Sequence, residues 1–149
     1  MKASDLMIGN LIEYNGIICM VSEIVSPKPL ADVRYSDKWI IELFDGSGLL
    51  SVPIEHTTPV ILTEETLINF GFEKKQCGSR SYKYVKGIIE MHNYGGSTFK
   101  NMEIEMKGAF DAEDDEDIVN VMFPHDIIYA HDLQNIYKMF TREELIFKQ

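Results

Sequence analysis

Short apolar runs separated by turn residues fill most of the chain, and helical periodicity enters only twice. Leu11-Ile-Glu-Tyr14 and Ile17-Ile-Cys-Met-Val21 flank Asn15-Gly16. A type I′ turn needs positive φ at both central positions, which Asn and Gly supply cheaply, so this pattern predicts a hairpin. Gly9-Asn10 is a second turn site upstream. Ser26-Pro27 ends the second strand, because proline has no N–H to give to a ladder. Residues 27–38 read as an exposed loop. Trp39-Ile-Ile-Glu-Leu-Phe44, the turn Asp45-Gly-Ser-Gly48 and Leu49-Leu-Ser-Val52 supply two more strands.

The first helical signal is Leu62-Thr-Glu-Glu-Thr-Leu-Ile-Asn-Phe-Gly-Phe-Glu73. Thr63 can cap it, Glu64 and Glu65 suit the positive end of its dipole, and Leu62 with Leu67 fits a hydrophobic staple. Gly71 can take the left-handed conformation that ends a helix, with Phe72 folding back on Leu67. Strands follow. Phe72 to Lys75 begins one. Ser81-Tyr-Lys-Tyr-Val85 and Ile88-Ile-Glu-Met-His92 form a hairpin about Lys86-Gly87. Phe99 to Lys107 alternates, with Met102, Ile104 and Met106 on one face, and Ile118 to Phe123 is the last strand. The second helical signal places Leu133, Ile136, Tyr137 and Phe140 on one face. Thr141-Arg-Glu-Glu144 has the spacing of a capping box for a further short turn or strand.

These elements predict an α+β fold. It is mostly antiparallel, with eight to ten short strands and two helices. Its N-terminal part, residues 1–58, reads as a curled sheet or small SH3-like barrel, and residues 59–149 read as an α+β lobe sharing one compact unit with it.

Composition narrows the possible roles. The 149 residues are 45% hydrophobic, enough for a domain that hides roughly two-thirds of its unfolded surface. No apolar run nears the ~18–20 residues of a membrane span, and the N-terminus lacks the apolar stretch of a secretion signal. Cys19 and Cys77 have no CxxC partner and fit a reducing compartment. A cytoplasmic location is expected. With 24 acidic and 14 basic residues the formal net charge is −10. That opposes ordinary nucleic-acid binding and docking on anionic membranes. The plain reading of the charge is solubility. The sharper one is a surface for a basic partner, or one that imitates nucleic acid.

Three blocks resemble a known group. Leu6-Met-Ile-Gly-Asn10, Leu62 to Glu73, and His131-Asp-Leu-Gln-Asn-Ile-Tyr137 with Thr141-Arg-Glu-Glu-Leu145 are similar to a family of small uncharacterised proteins. That family is common in Bacteroidales genomes and their prophages. The blocks keep the family's order and span nearly the whole chain. The resemblance implies a phage or mobile-element context and carries no activity, cofactor or catalytic residue with it.

Candidate chemistry is sparse. His125-Asp126 and His131-Asp132 repeat a pair that a metal-dependent hydrolase would use to hold an ion and activate water. Such a site would need further ligands on separate helices. The alternative is that His131 and Asp132 open the last helix and His125-Asp126 form a turn. Asp111-Ala-Glu-Asp-Asp-Glu-Asp117 could bind calcium through oxygen ligands but lacks EF-hand spacing, so it reads as a solvated loop. Cys19 reads as core and Cys77 as exposed without a base beside it. Tyr14, Trp39, Tyr82, Tyr84 and Tyr94 could form an aromatic surface for a peptide or protein, or could simply pack. The expectation is therefore a non-catalytic accessory protein of phage or mobile-element origin. It would bind a protein, need no cofactor or metal, and contact neither DNA nor membrane. The alternatives are an acidic nucleic-acid mimic that blocks a DNA-binding protein, and a metal-dependent hydrolase with His125, His131 and an acid converging in a cleft.

Overall fold

The computed structural model describes residues 1–27, 38–79, 81–93, 102–106, 119–122 and 127–148. The chain divides into two units. One is Met1–Ile61 with Tyr129–Met139, and the other is Leu62–Ile128 with Phe140–Gln149. The first unit therefore takes most of the last helix.

The first unit is built on an antiparallel sheet of β1 (Leu11–Tyr14), β2 (Ile17–Val25), β3 (Ile40–Phe44), β4 (Leu49–Pro53) and β5 (Thr58–Pro59), in the order β4-β3-β2-β1-β5. Asn15 and Gly16 have φ of 50° and 78°, so the type I′ hairpin forms where the dipeptide predicts it. Asp45 Oδ1 accepts from the backbone N–H groups of Ser47 (2.8 Å) and Gly48 (3.0 Å) and fixes the β3–β4 turn. The Ser47 hydroxyl, which donates to the same oxygen at 2.7 Å, and then these backbone bonds hold its carboxyl below the usual carboxylate range. One face of the sheet carries a buried cluster of Ile12, Cys19, Val21, Ile41, Leu43 and Val52, joined by Leu6. No pairing joins β4 to β5 among the described residues, so their ladders give the curled sheet of the expectation without closing it into a barrel. β5 is only two residues long and, among the described residues, pairs with β1 alone.

The second unit opens with α1 (Glu64–Asn69). Thr63 Oγ1 accepts from Thr66 N–H at 3.1 Å, and Leu62 and Leu67 on either side of the cap are buried. At the other end Phe72 N–H donates to Leu67 C=O and Gly71 N–H to Ile68 C=O, a Schellman closure with Gly71 at φ 82°. Lys86 Nζ donates to the Phe70 carbonyl at 2.6 Å and satisfies another end group. Gly71→Val should lower stability by about 1 kcal/mol or more, because a β-branched residue resists positive φ. An unshifted melting midpoint would contradict this. The Cβ itself would meet only the flexible end of Lys86, so the cost is mainly conformational.

Five strands follow: β6 (Glu73–Gln76), β7 (Tyr82–Lys86), β8 (Ile89–Asn93), β9 (Met102–Met106) and β10 (Val119–Met122), paired in sequence order and all antiparallel. The β7–β8 register pairs Lys86 with Ile89, so the turn residues are Gly87 and Ile88, one position later than predicted. Gly87 has φ 58°, which the first central position of a type II′ turn requires. β9 lies inside the alternating stretch Phe99 to Lys107, and β10 inside the predicted strand Ile118 to Phe123. The faces taken by Met102, Ile104 and Met106 lie outside the described side chains, and so does the acidic stretch 111–117. The architecture is α+β and mostly antiparallel, as the residue pattern predicts.

The last helix, α2, runs Ala130–Thr141. Its buried residues are Ala130, His131, Leu133, Gln134 and Tyr137, while Ile136 and Phe140 are only half-buried. The face is rotated from the predicted one, towards His131 and Gln134. No helix follows Thr141. Arg142 takes φ 62°, and Thr141 Oγ1 accepts from Glu143 N–H at 3.1 Å. Thr141 thus ends α2, and the capping-box spacing after it opens nothing. Leu145 is buried, and Phe147 meets the Phe70 ring edge-on at 5.4 Å within the second unit.

Candidate functional site

The polar residues of α2 do structural work first. Gln134 Oε1 accepts from Leu11 N–H at 2.8 Å, and its Nε2 donates to Gly9 C=O at 2.9 Å. Asn135 Oδ1 accepts from Asn10 Nδ2 at 2.9 Å, and Asn135 Nδ2 donates to Asp5 C=O at 3.0 Å. Asn10 Oδ1 completes the set by accepting from Met7 N–H at 2.7 Å. Three amide side chains thus satisfy backbone groups of a tight turn that its own bonds to Val21 of β2 leave over. In the second unit Lys148 N–H donates to Asn69 C=O at 2.9 Å. The blocks that carry the family resemblance are therefore turns, caps and clamps.

His131 sits among them, 3% exposed. Its ring stacks on Tyr129 with centroids 5.6 Å apart. Nδ1 has no hydrogen-bond partner, and Nε2 lies 3.5 Å from Asp132 Oδ1. Burial pushes its pKa below the ordinary 6.5, although Asp132 and Asp5 pull the other way. The unfolded chain therefore takes up a proton below pH 6.5 that the folded state resists. Stability is fully present above pH 6.5 and is lost as pH falls from there towards the folded pKa. The slope from this one group is at most about 1.4 kcal/mol per pH unit. Melting curves between pH 7.5 and 5.5 should show the loss, and His131→Phe, which keeps an aromatic ring beside Tyr129, should flatten it. An unchanged slope in that variant would contradict the assignment.

His131 and Asp132 do not gather a metal site. Among the described residues no group of three or more His, Cys, Asp or Glu side chains converges. His125 and Asp126 lie outside the described residues. Cys19 is buried, and burial raises its thiol pKa, so the reactive thiolate is disfavoured. Cys77 is exposed, with Sγ 3.8 Å from the Lys75 carbonyl.

The aromatic residues do not form one surface. Tyr84 is 1% exposed and belongs to the interior of the second unit. Tyr82 is half-buried beneath Lys74, whose Nζ lies 4.2 Å from its ring centroid. Tyr14 packs against the core cluster of the first sheet. Trp39 is 43% exposed, and Tyr94 lies outside the described residues.

The first sheet instead presents an apolar row that residue type alone does not reveal. Register pairs Met20 with Phe44, and Phe44 with Leu49, across β2, β3 and β4. All three sit on the face opposite the buried cluster. Met20 is 42% exposed, Phe44 40% and Leu49 61%. A β-bulge between Val21 and Glu23 inserts Ser22 and brings Glu23 opposite Glu42, which pairs in turn with Ser51. A carboxylate row therefore runs beside the apolar row. Like charges directly opposite destabilise a strand pair, and neither glutamate has a Lys or Arg partner among the described residues. Glu42 has only the Ser51 hydroxyl, at 3.4 Å. The five strands of this sheet carry Glu13, Glu23 and Glu42 and no Lys or Arg.

Among the described residues no helix is long and apolar enough to cross a membrane. Compared with protein-family models, with curated proteins and with solved structures, the chain matches none.

Proposed function

We propose that this chain is a non-catalytic protein-binding module, and that the outward face of its first sheet is the contact surface. The observation that carries this is the row Met20, Phe44 and Leu49. Three large apolar side chains on neighbouring strands stay open to water on a face whose opposite side already forms a core. Contiguous exposed apolar side chains rimmed by polar ones mark interaction sites. Aromatic and Met side chains are enriched at the centre of interfaces. The family resemblance supplies a phage or mobile-element setting for the role.

The hydrolase reading draws no support from the described residues, because His131 is buried against Tyr129 without converging acids. The nucleic-acid mimic reading is weakened on this face, where an apolar row interrupts the carboxylates.

The test is affinity capture with two baits, the parent chain and a Met20→Ser/Phe44→Ser/Leu49→Ser variant. A specific protein should be retained by the parent and lost by the variant, while both baits melt alike. Equal capture by the two would move the contact surface elsewhere.

A further inference from the structure

The partner's chemistry can be read from the same sheet, and this step rests on the protein-binding reading above. Among the described residues β4 is an edge strand, with Leu49, Leu50 and Ser51 all exposed. Its outward hydrogen-bonding groups follow from the pairing. Asp45 N–H bonds Gly48 C=O at 3.3 Å, and Ile54 N–H bonds Trp39 C=O at 3.0 Å. Bonded and non-bonded pairs alternate along an antiparallel ladder. Leu50 and Val52 therefore bond to β3, while Leu49 and Ser51 turn their N–H and C=O groups away from it. Such groups are a template for an added strand.

Side chains on an added strand would extend the two existing rows. The position beside Leu49 continues the apolar row of Met20 and Phe44. The position beside Ser51 continues the row of Glu42 and Glu23. Strands are ~4.8 Å apart, and Ser51 is small, so a long cationic side chain can pass over it towards Glu42. We infer that the occupant is an extended segment of a basic protein, adding to β4 with an apolar residue and a Lys or Arg two positions apart. Its cation relieves the opposed pair Glu23 and Glu42, which the sheet itself leaves without one. A second copy of this chain is disfavoured as occupant, since each copy carries a formal charge of −10.

The experiment selects yeast-displayed random peptides on the folded parent chain. Three variants then test the selected peptides: Glu23→Gln/Glu42→Gln, Ser51→Pro, and the Met20→Ser/Phe44→Ser/Leu49→Ser variant. The glutamine variant should fold at least as well as the parent, because it removes a like-charge pair. Ser51→Pro should fold, because the lost N–H is not in the ladder. The expected result is enrichment of peptides with Lys or Arg two positions from an apolar residue. Their affinity should fall as salt rises, and by tenfold or more for the glutamine variant, and they should not bind Ser51→Pro. No enrichment would overturn the inference, as would acidic peptides or peptides indifferent to the glutamine variant. If indifferent peptides still lose binding to the apolar-row variant, the contact face stands and only the basic partner is wrong. If they bind that variant too, the contact face itself fails. Self-association of the parent that Ser51→Pro abolishes would make the occupant a second copy and also overturn the inference.

Discussion

Gln134→Leu should lower the stability of the fold by roughly 2–4 kcal/mol. The substitution puts an apolar side chain of similar size at a position that is already buried. It removes both amide bonds to the N-terminal turn, leaving Leu11 N–H and Gly9 C=O without the partners they have now. An orphaned buried group costs about 1–3 kcal/mol, and the burial of leucine offsets part of the sum. Asn135→Ala is the control. Its bond to the Asp5 carbonyl is exposed and its bond from Asn10 only part-buried, so a smaller loss of about 1–2 kcal/mol is expected. Urea unfolding checks both, through a shift in midpoint at constant slope. Equal, small effects would show that the amide clamp is incidental.

Phe70→Ala should be more costly still, about 3–5 kcal/mol. Phe70 is fully buried at the end of α1, and its ring meets Phe147 edge-on. Its removal combines lost burial with a cavity that the capped helix end cannot easily close. The backbone there is held by the Schellman bonds and by Lys86 on the Phe70 carbonyl. Phe147→Ala should cost less, since it keeps the larger part of the packing. A loss below about 1 kcal/mol for Phe70→Ala would mean that the site collapses freely.

The parts of this fold that were legible in the sequence are those that local chemistry decides. Thr63, Gly71 and Phe72 specify α1 because each acts on backbone within a few positions. Asn15-Gly16 specifies its hairpin for the same reason. The buried face of α2 was misread because Gln134 is polar. It is buried at no net loss only through partners more than a hundred positions away, which periodicity does not see. Thr141 looked like a helix start because its spacing to Glu144 is right, yet Arg142 turns left-handed there and ends α2. The placing of most of α2 in the first unit was out of reach for the same reason, since its amide bonds are made to residues 5–11.

The candidate surface was less legible still. Grouping Tyr14, Trp39, Tyr82, Tyr84 and Tyr94 by residue type mixed core with surface, and Tyr84 is interior. Met20, Phe44 and Leu49 are unremarkable in their separate runs. Only strand register aligns them, and only the bulge at Ser22 sets Glu23 opposite Glu42. The sequence did carry the strand parity, and with the hairpin turns it places Phe44 and Leu49 together. β2 and β3 are separated in sequence by residues 26–39, and register across so long a connection is not read from a turn dipeptide.

On the reading proposed above, a protein partner is bound on the first sheet at β4. Amide hydrogen exchange, with and without a peptide or protein captured by the parent chain, tests it most directly. The outward N–H groups of Leu49 and Ser51 should exchange freely in the chain alone and become protected in the complex, with little change along β6 to β8. Protection that appears on the second sheet, and leaves Leu49 and Ser51 exchanging as before, would contradict the account.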